Sequence, residues 1–175
     1  MNTLYCPWRE LYSESVSGTK RELVSEKECV FCTKFNDNRD AHHYIIKRLT
    51  HTIVIMNLYP YNAGHLLIIP LKHVACLSEL TEDERNELMH TTTLSSEILK
   101  KSIEAQGINI GLNMGRIAGA GIPSHIHMHV IPRWVGDTNF LPIIAETKTI
   151  SFDMNQMYKK LCLDFNQFAL PTKQR

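Results

Sequence analysis

His125-Ile126-His127-Met128-His129-Val130-Ile131-Pro132 decides the reading of this chain. In a β-strand, residues i, i+2 and i+4 share a face. The three imidazoles then project together, while Ile126, Met128 and Val130 project into a core. With 9 histidines among 175 residues, three at alternate positions are not a chance spacing. A row of imidazoles serves metal binding, proton transfer or nucleophilic attack. Two arrangements compete on these residues alone. All three rings could ligate one open, catalytic metal. Alternatively they divide the work, with one neutral imidazole attacking phosphorus and a second, protonated one donating to the leaving group.

The neighbourhood favours the second arrangement. Immediately upstream, the loop from Gly115 to Pro123 carries Gly115, Gly119 and Gly121. Glycine-rich loops turn backbone N–H groups toward anions, so a phosphate held there would lie beside the imidazoles.

Further upstream the chain reads as strands and one long helix. Tyr44-Ile45-Ile46 and Thr52-Ile53-Val54-Ile55-Met56 flank Leu49-Thr50-His51 as a hairpin. The run Leu58 to Gly64 is turn-forming, and His65-Leu66-Leu67-Ile68-Ile69-Pro70 is a strand buried on both faces. Thr81 and Glu84 form a capping box for a helix with Leu88, Thr91, Leu94, Ile98 and Ile103 on its apolar stripe. Gly107 is the expected helix stop. Ile108 to Asn113 is the next strand, and the histidine strand runs to about Arg133. Met154, Tyr158, Leu161, Phe165 and Phe168 mark an amphipathic C-terminal helix, free by spacing to cover an interface or its own subunit. Hairpins plus one helical crossover predict an α+β fold, a mainly antiparallel five-stranded sheet with one long helix and a C-terminal amphipathic helix. We expect one domain over 1–175, with a core over about 28–140, an N-terminal arm over 1–27 and a helical tail over 143–175.

Cys29-Val30-Phe31-Cys32 has the spacing of half a zinc site. His73, just after a strand, and His125 are candidates to complete a closed Cys₂His₂ set. A redox pair is the alternative, without a thioredoxin-like context.

Composition narrows the classes. Apolar residues are 43% and charged residues 21%, ordinary for a globular protein. A net charge of +1 gives no electrostatic basis for binding DNA or bulk RNA. No apolar run approaches the roughly 20 residues that span a bilayer. Five cysteines and no apolar leader at Met1 to Glu10 fit reduced thiols in the cytoplasm.

The histidine row resembles the histidine-triad motif, H-φ-H-φ-H-φφ with φ apolar. The likeness extends over roughly residues 28–140, and Asn57-Leu-Tyr-Pro-Tyr-Asn-Ala-Gly-His65 through Pro70 is similar to the superfamily's Gly-His block. Cys6-Pro-Trp-Arg9, Gly111-Leu-Asn113, Gly119-Ala-Gly-Ile-Pro123 and Pro132-Arg-Trp134 through Pro142 resemble the branch of diadenosine tetraphosphate phosphorylases and hydrolases.

That resemblance implies roles. His127 matches the nucleophile that attacks the α-phosphorus and forms a nucleotidyl-histidine intermediate. His129 matches the histidine near the scissile oxygen, and His65 the fourth histidine that orients the triad. Asn57 matches the group that binds the ribose hydroxyls, Trp134 a substrate-recognition tryptophan, and Asn113 with Gly119 to Ser124 the phosphate loop. Where several triad enzymes carry a Gln or Ser side chain, this chain has Ala120-Gly121-Ile122-Pro123-Ser124, so backbone N–H groups such as that of Gly121, or Ser124, take that part. Cys29, Cys32, His73 and His125 match a structural zinc set. The implied function is cleavage of dinucleoside polyphosphates at the α-phosphate, by a homodimer that uses neither nucleic acid nor membrane. Alternatives are a purine nucleoside phosphoramidate hydrolase and a nucleotide-binding regulatory module with little turnover.

Overall fold

A computed structural model describes residues 25–138, 144 and 152–168. Most of the N-terminal arm, with Cys6-Pro-Trp-Arg9, lies outside the described residues. So do Phe140-Leu-Pro142 and much of the tail.

Five strands form one antiparallel sheet: β1 (Ile45–Arg48), β2 (Thr52–Met56), β3 (Leu66–Pro70), β4 (Gly107–Leu112) and β5 (Met128–Arg133). Their spatial order is β1-β2-β3-β5-β4. The β1/β2 hairpin is as expected. The α-helices described are α1 (Val30–Asn36), α2 (Asp40–His43), α3 (Glu82–Ser102) and α4 (Met154–Gln167), with short 3-10 turns at Glu26–Glu28 and Leu77–Glu79.

The sheet is covered on both faces, so β2 and β3 read as unbroken apolar runs and are buried throughout. On one face Val54, Met56, Leu66, Ile68, Ile126, Met128 and Val130 pack with Leu88, Ile98 and Leu99 of α3 and Leu161 and Phe165 of α4. On the other, Ile45, Ile53, Ile55, Leu67 and Ile69 pack with Cys29, Phe31, Cys32 and Phe35. The histidines belong to this second face.

The α3 capping box is present: Glu84 N–H donates to Thr81 Oγ1 at 3.3 Å, and Thr81 N–H to Glu84 Oε2 at 2.7 Å. The helix stops earlier than Gly107. Ile103 closes it with an N–H donated to the Leu99 carbonyl, and Glu104 takes the left-handed conformation at φ 53°. Gly107 instead opens β4 opposite Arg133. Pairing with β5 claims its backbone, so the helix stop falls to a residue that sequence alone does not favour. The buried face of α3 also includes Thr92, Ser95 and Ser96. Their hydroxyls donate to the carbonyls four residues back, at 2.7–2.9 Å, and so enter a core as satisfied groups.

The tail helix packs within its own subunit. Asp153 caps it by accepting from Gln156 N–H at 2.8 Å, and Tyr158 Oη donates to the Ile45 carbonyl at 3.0 Å.

The histidine segment differs in one respect from the predicted strand. Ladder pairing begins at Met128, not at His125. Beyond Ile68, β3 ends in Pro70, which has no N–H to give, and its carbonyl accepts from the His125 ring at 2.8 Å. His125 to His127 nonetheless keeps the alternation. Ile126 is buried in the helix-side core, and its N–H donates to the Val74 carbonyl at 2.7 Å.

Candidate active site and metal centre

The two cysteines enter on α1, one at its N-cap and one in its first turn. One helical turn brings i and i+3 together. His73 comes from the segment after β3, and His125 from the segment before β5. The four ligand atoms lie within 4.8 Å of one another. Cys29 Sγ is 3.4 Å and Cys32 Sγ 3.5 Å from His125 Nδ1, and Cys32 Sγ is 3.3 Å from His73 Nδ1. Tetrahedral zinc with ordinary Zn–S and Zn–N bonds has S···N edges of about 3.6 Å, so the cluster has the right size. The tautomer is right as well. His125 Nε2 donates to the Pro70 carbonyl, which leaves Nδ1 unprotonated toward the sulfurs. Three of the four residues are buried, and His73 is partly so. These residues could hold a metal ion in a closed S₂N₂ site.

The next histidine is oriented by the same backbone. His127 Nδ1 is 2.9 Å from the His125 carbonyl, which can only accept, so Nδ1 carries the proton. Nε2 is left with its lone pair. The His127 ring also lies edge-on to Phe31, with centroids 5.2 Å apart, and 5.0 Å from the His129 ring. Burial pushes the His127 pKa down, so the ring stays neutral.

A second relay fixes His129. The Tyr61 backbone N–H donates to His65 Nδ1 at 3.1 Å, and the Asn57 amide donates to the same atom at 3.3 Å. His65 Nδ1 is therefore bare and Nε2 protonated. His65 Nε2 donates to His129 Nδ1 at 2.9 Å. The remaining proton of neutral His129 sits on Nε2. Burial is the first cause, and neighbouring His127 the second, that lowers the His129 pKa to about 4. Adjacent rings thus present complementary nitrogens, an acceptor on His127 and a donor on His129. The histidines do not converge on one metal: His125 faces the cysteines, and His129 faces His65.

Space at this point comes from glycine and from a clamped loop. Gly111 stands opposite His129 on β4 and adds no side chain there. Gly64 has φ +73°, and a Cβ on it would stand 2.7 Å from Ile103 Cδ1, so the turn before His65 requires glycine. Asn62, buried, donates to the Pro132 carbonyl at 2.9 Å and to Asp137 Oδ2 at 2.6 Å. Arg133 holds that carboxylate with two bonds at 2.6 and 2.7 Å. The Tyr61 ring stacks beside His129 at 6.0 Å with planes 14° apart. Tyr61, Asn62, Phe31, Arg133 and Asp137 were not singled out from the sequence. Two of the quoted blocks contain all of these but Phe31, but no spacing rule marks them.

The other candidates are distributed unevenly. Asn57 sits beside His65, and its Oδ1 accepts from Tyr59 N–H at 3.0 Å. Asn113 Nδ2 donates to the Gly119 carbonyl at 3.4 Å. The Gly119 N–H is used inside the loop, on the Arg116 carbonyl at 2.8 Å, and a Cβ on Gly121 would meet open space. Ser124 is buried, and its hydroxyl has no hydrogen-bond partner among the described residues. Trp134 is drawn to the end of α3, where its indole N–H donates to the Glu104 carbonyl at 3.0 Å.

Residues 38–135 match the HIT domain model. AP-4-A phosphorylase of Mycobacterium tuberculosis is 34% identical over 150 residues, which span 86% of this chain and 77% of that protein. Bis(5'-adenosyl)-triphosphatase of Saccharomyces cerevisiae is 38% identical over 92 residues, 50% of this chain and 44% of the relative. A zinc-bound histidine triad family protein of Mycobacterium smegmatis shares the fold, with a TM-score of 0.65 at 23% identity, over 82% of this chain and 96% of that one. With its triad, its Gly-His strand and this span of matched sequence, the chain belongs to the HIT domain family.

Proposed function

We propose that this protein cleaves dinucleoside polyphosphates at the α-phosphate through a nucleotidyl-histidine intermediate. One observation carries the reading: the bare Nε2 of His127 stands beside the proton-bearing Nε2 of His129, both tautomers being dictated by backbone groups. The names of the phosphorylase and triphosphatase relatives support the substrate class.

In the first step His127 Nε2 forms a bond to the α-phosphorus, and the bond to the bridging oxygen breaks. His129 Nε2–H donates a hydrogen bond to that departing oxygen, which leaves as the polyphosphate anion and needs no proton. The leaving group is then a nucleoside polyphosphate. In the second step an oxygen of water or inorganic phosphate attacks the same phosphorus, the N–P bond breaks and returns its electron pair to His127 Nε2, and the attacker's proton passes to solvent. His65 holds His129 in the donating tautomer. Ser124 Oγ is a polar group with spare capacity for a non-bridging oxygen. Asn57 takes the ribose, Asn113, Gly119 and Gly121 shape the phosphate loop, and Trp134 contributes to substrate recognition, as the family resemblance implies.

Cys29, Cys32, His73 and His125 would hold zinc. When bound, it supplies structural cross-linking between α1 and the segment that carries the nucleophile. A homodimer is part of the same proposal. Edge strand β4 exposes Ile110 and much of its length, which gives a second sheet a place to pair.

A substrate panel tests the reading: diadenosine tri- and tetraphosphate and an adenosine phosphoramidate, each with and without inorganic phosphate. We expect the dinucleotides to be turned over fastest, with the product pair naming the acceptor. Faster cleavage of the phosphoramidate, or no turnover at all, overturns it.

A further inference from the structure

We infer that Tyr61 is the platform on which the leaving nucleoside of the substrate stacks; this rests on the function proposed above. Three rings follow one another: His127 to His129 at 5.0 Å, then His129 to Tyr61 at 6.0 Å. In-line displacement sends the leaving group away from the nucleophile. A leaving group that passes His129 has Tyr61 as a neighbouring ring, 6.0 Å from the His129 ring. The two histidines are buried, at 6% and 9% exposure, whereas Tyr61 is 56% exposed. One side of its ring meets His129 and His65, and more than half of the residue's surface is exposed.

The ring is also held in place. Its neighbour Asn62 is pinned to Pro132 and Asp137, and Asp137 to Arg133. On the other side Pro60 restricts the backbone. The Tyr61 N–H is itself anchored on His65 Nδ1. A fixed, half-exposed aromatic face costs little entropy on binding and accepts any base, since every base has a π-face. It distinguishes a substrate with a second nucleoside from one whose phosphate chain simply ends. No covalent step is added.

The backbone N–H survives any substitution of the side chain, which makes a clean test. Diadenosine tetraphosphate and adenosine 5′-tetraphosphate have the same phosphate count and differ in the second nucleoside. The readout is the ratio of kcat/KM for the first to that for the second. We expect Tyr61→Ala to lower this ratio about tenfold, the usual order for one base on one aromatic ring, and Tyr61→Trp to preserve or raise it. Circular dichroism verifies that both variants fold. An unchanged ratio in Tyr61→Ala, with wild type active, overturns the platform alone, even if both rates fall together. A wild type that cleaves neither compound overturns the functional reading and the platform with it.

Discussion

His65 Nε2 donates to His129 Nδ1 across 2.9 Å, and the proton order of that bond is set by the Tyr61 backbone amide on the far side of His65. A fixed peptide donor therefore decides which nitrogen of His129 carries hydrogen two rings away. His129→Ala removes the hydrogen-bond donor to the leaving oxygen. We expect kcat on diadenosine tetraphosphate to fall about 10²-fold or more, the usual worth of one positioned donor to developing charge. A p-nitrophenyl ester of AMP, which leaves without help, should lose much less. Steady-state kinetics on both compounds checks this.

His127→Ala deletes the nucleophile itself. Turnover should drop below detection, while the far-ultraviolet spectrum and melting curve stay close to wild type. Trapping in acid should recover radiolabelled nucleotide on wild-type protein and none on the variant.

Acid should weaken the fold. The His129 pKa is lowered from 6.5 to about 4. Between those values the unfolded chain takes up a proton that the native site refuses. Stability is thus complete above pH 6.5 and falls as pH drops toward 4. Urea titrations across that range check the sign, and His129→Phe should flatten the slope.

Metal removal should act on structure first. Cys32→Ser removes one ligand of a buried set, and chelation removes the ion itself. A loss of about 3–5 kcal/mol, the usual cost of orphaning a buried charged partner, lowers Tm by about 10 °C. Cobalt substitution should give the visible spectrum of a tetrahedral S₂N₂ site. Activity should decline with folded fraction rather than ahead of it.

Gly64→Ala places a Cβ 2.7 Å from Ile103 Cδ1 at φ +73°. We expect a loss of about 1–2 kcal/mol, since the end of the Ile103 side chain can shift. Chemical denaturation measures it.

Much of this was legible in the chain because period-two alternation survives folding. Ile126, Met128 and Val130 face the helices, as their positions between histidines predict. The Cys29, Cys32, His73 and His125 set was legible too, because ligand chemistry restricts residue types more tightly than packing does. Other features were hidden for physical reasons. Thr92, Ser95 and Ser96 look like solvent residues until their hydroxyls turn back onto their own helix. The helix end at Ile103 depends on a strand pairing formed elsewhere. Short α1 is marked in sequence by its ligand spacing, with no hydrophobic period to show it. Asn62, Arg133 and Asp137 work through a carbonyl and a carboxylate 70 to 75 residues from the loop they hold, and single-residue patterns do not report such partners.

His125 has a further consequence. Its ring belongs to the sulfur cluster, and its carbonyl belongs to the nucleophile. One residue's covalent skeleton is thus a direct mechanical linkage between the two centres, and Phe31, set between the two cysteines and edge-on to His127, is a second. A designer replacing the metal with a greasy plug would need to conserve the direction of the His125 C=O bond and the seat of the Phe31 ring.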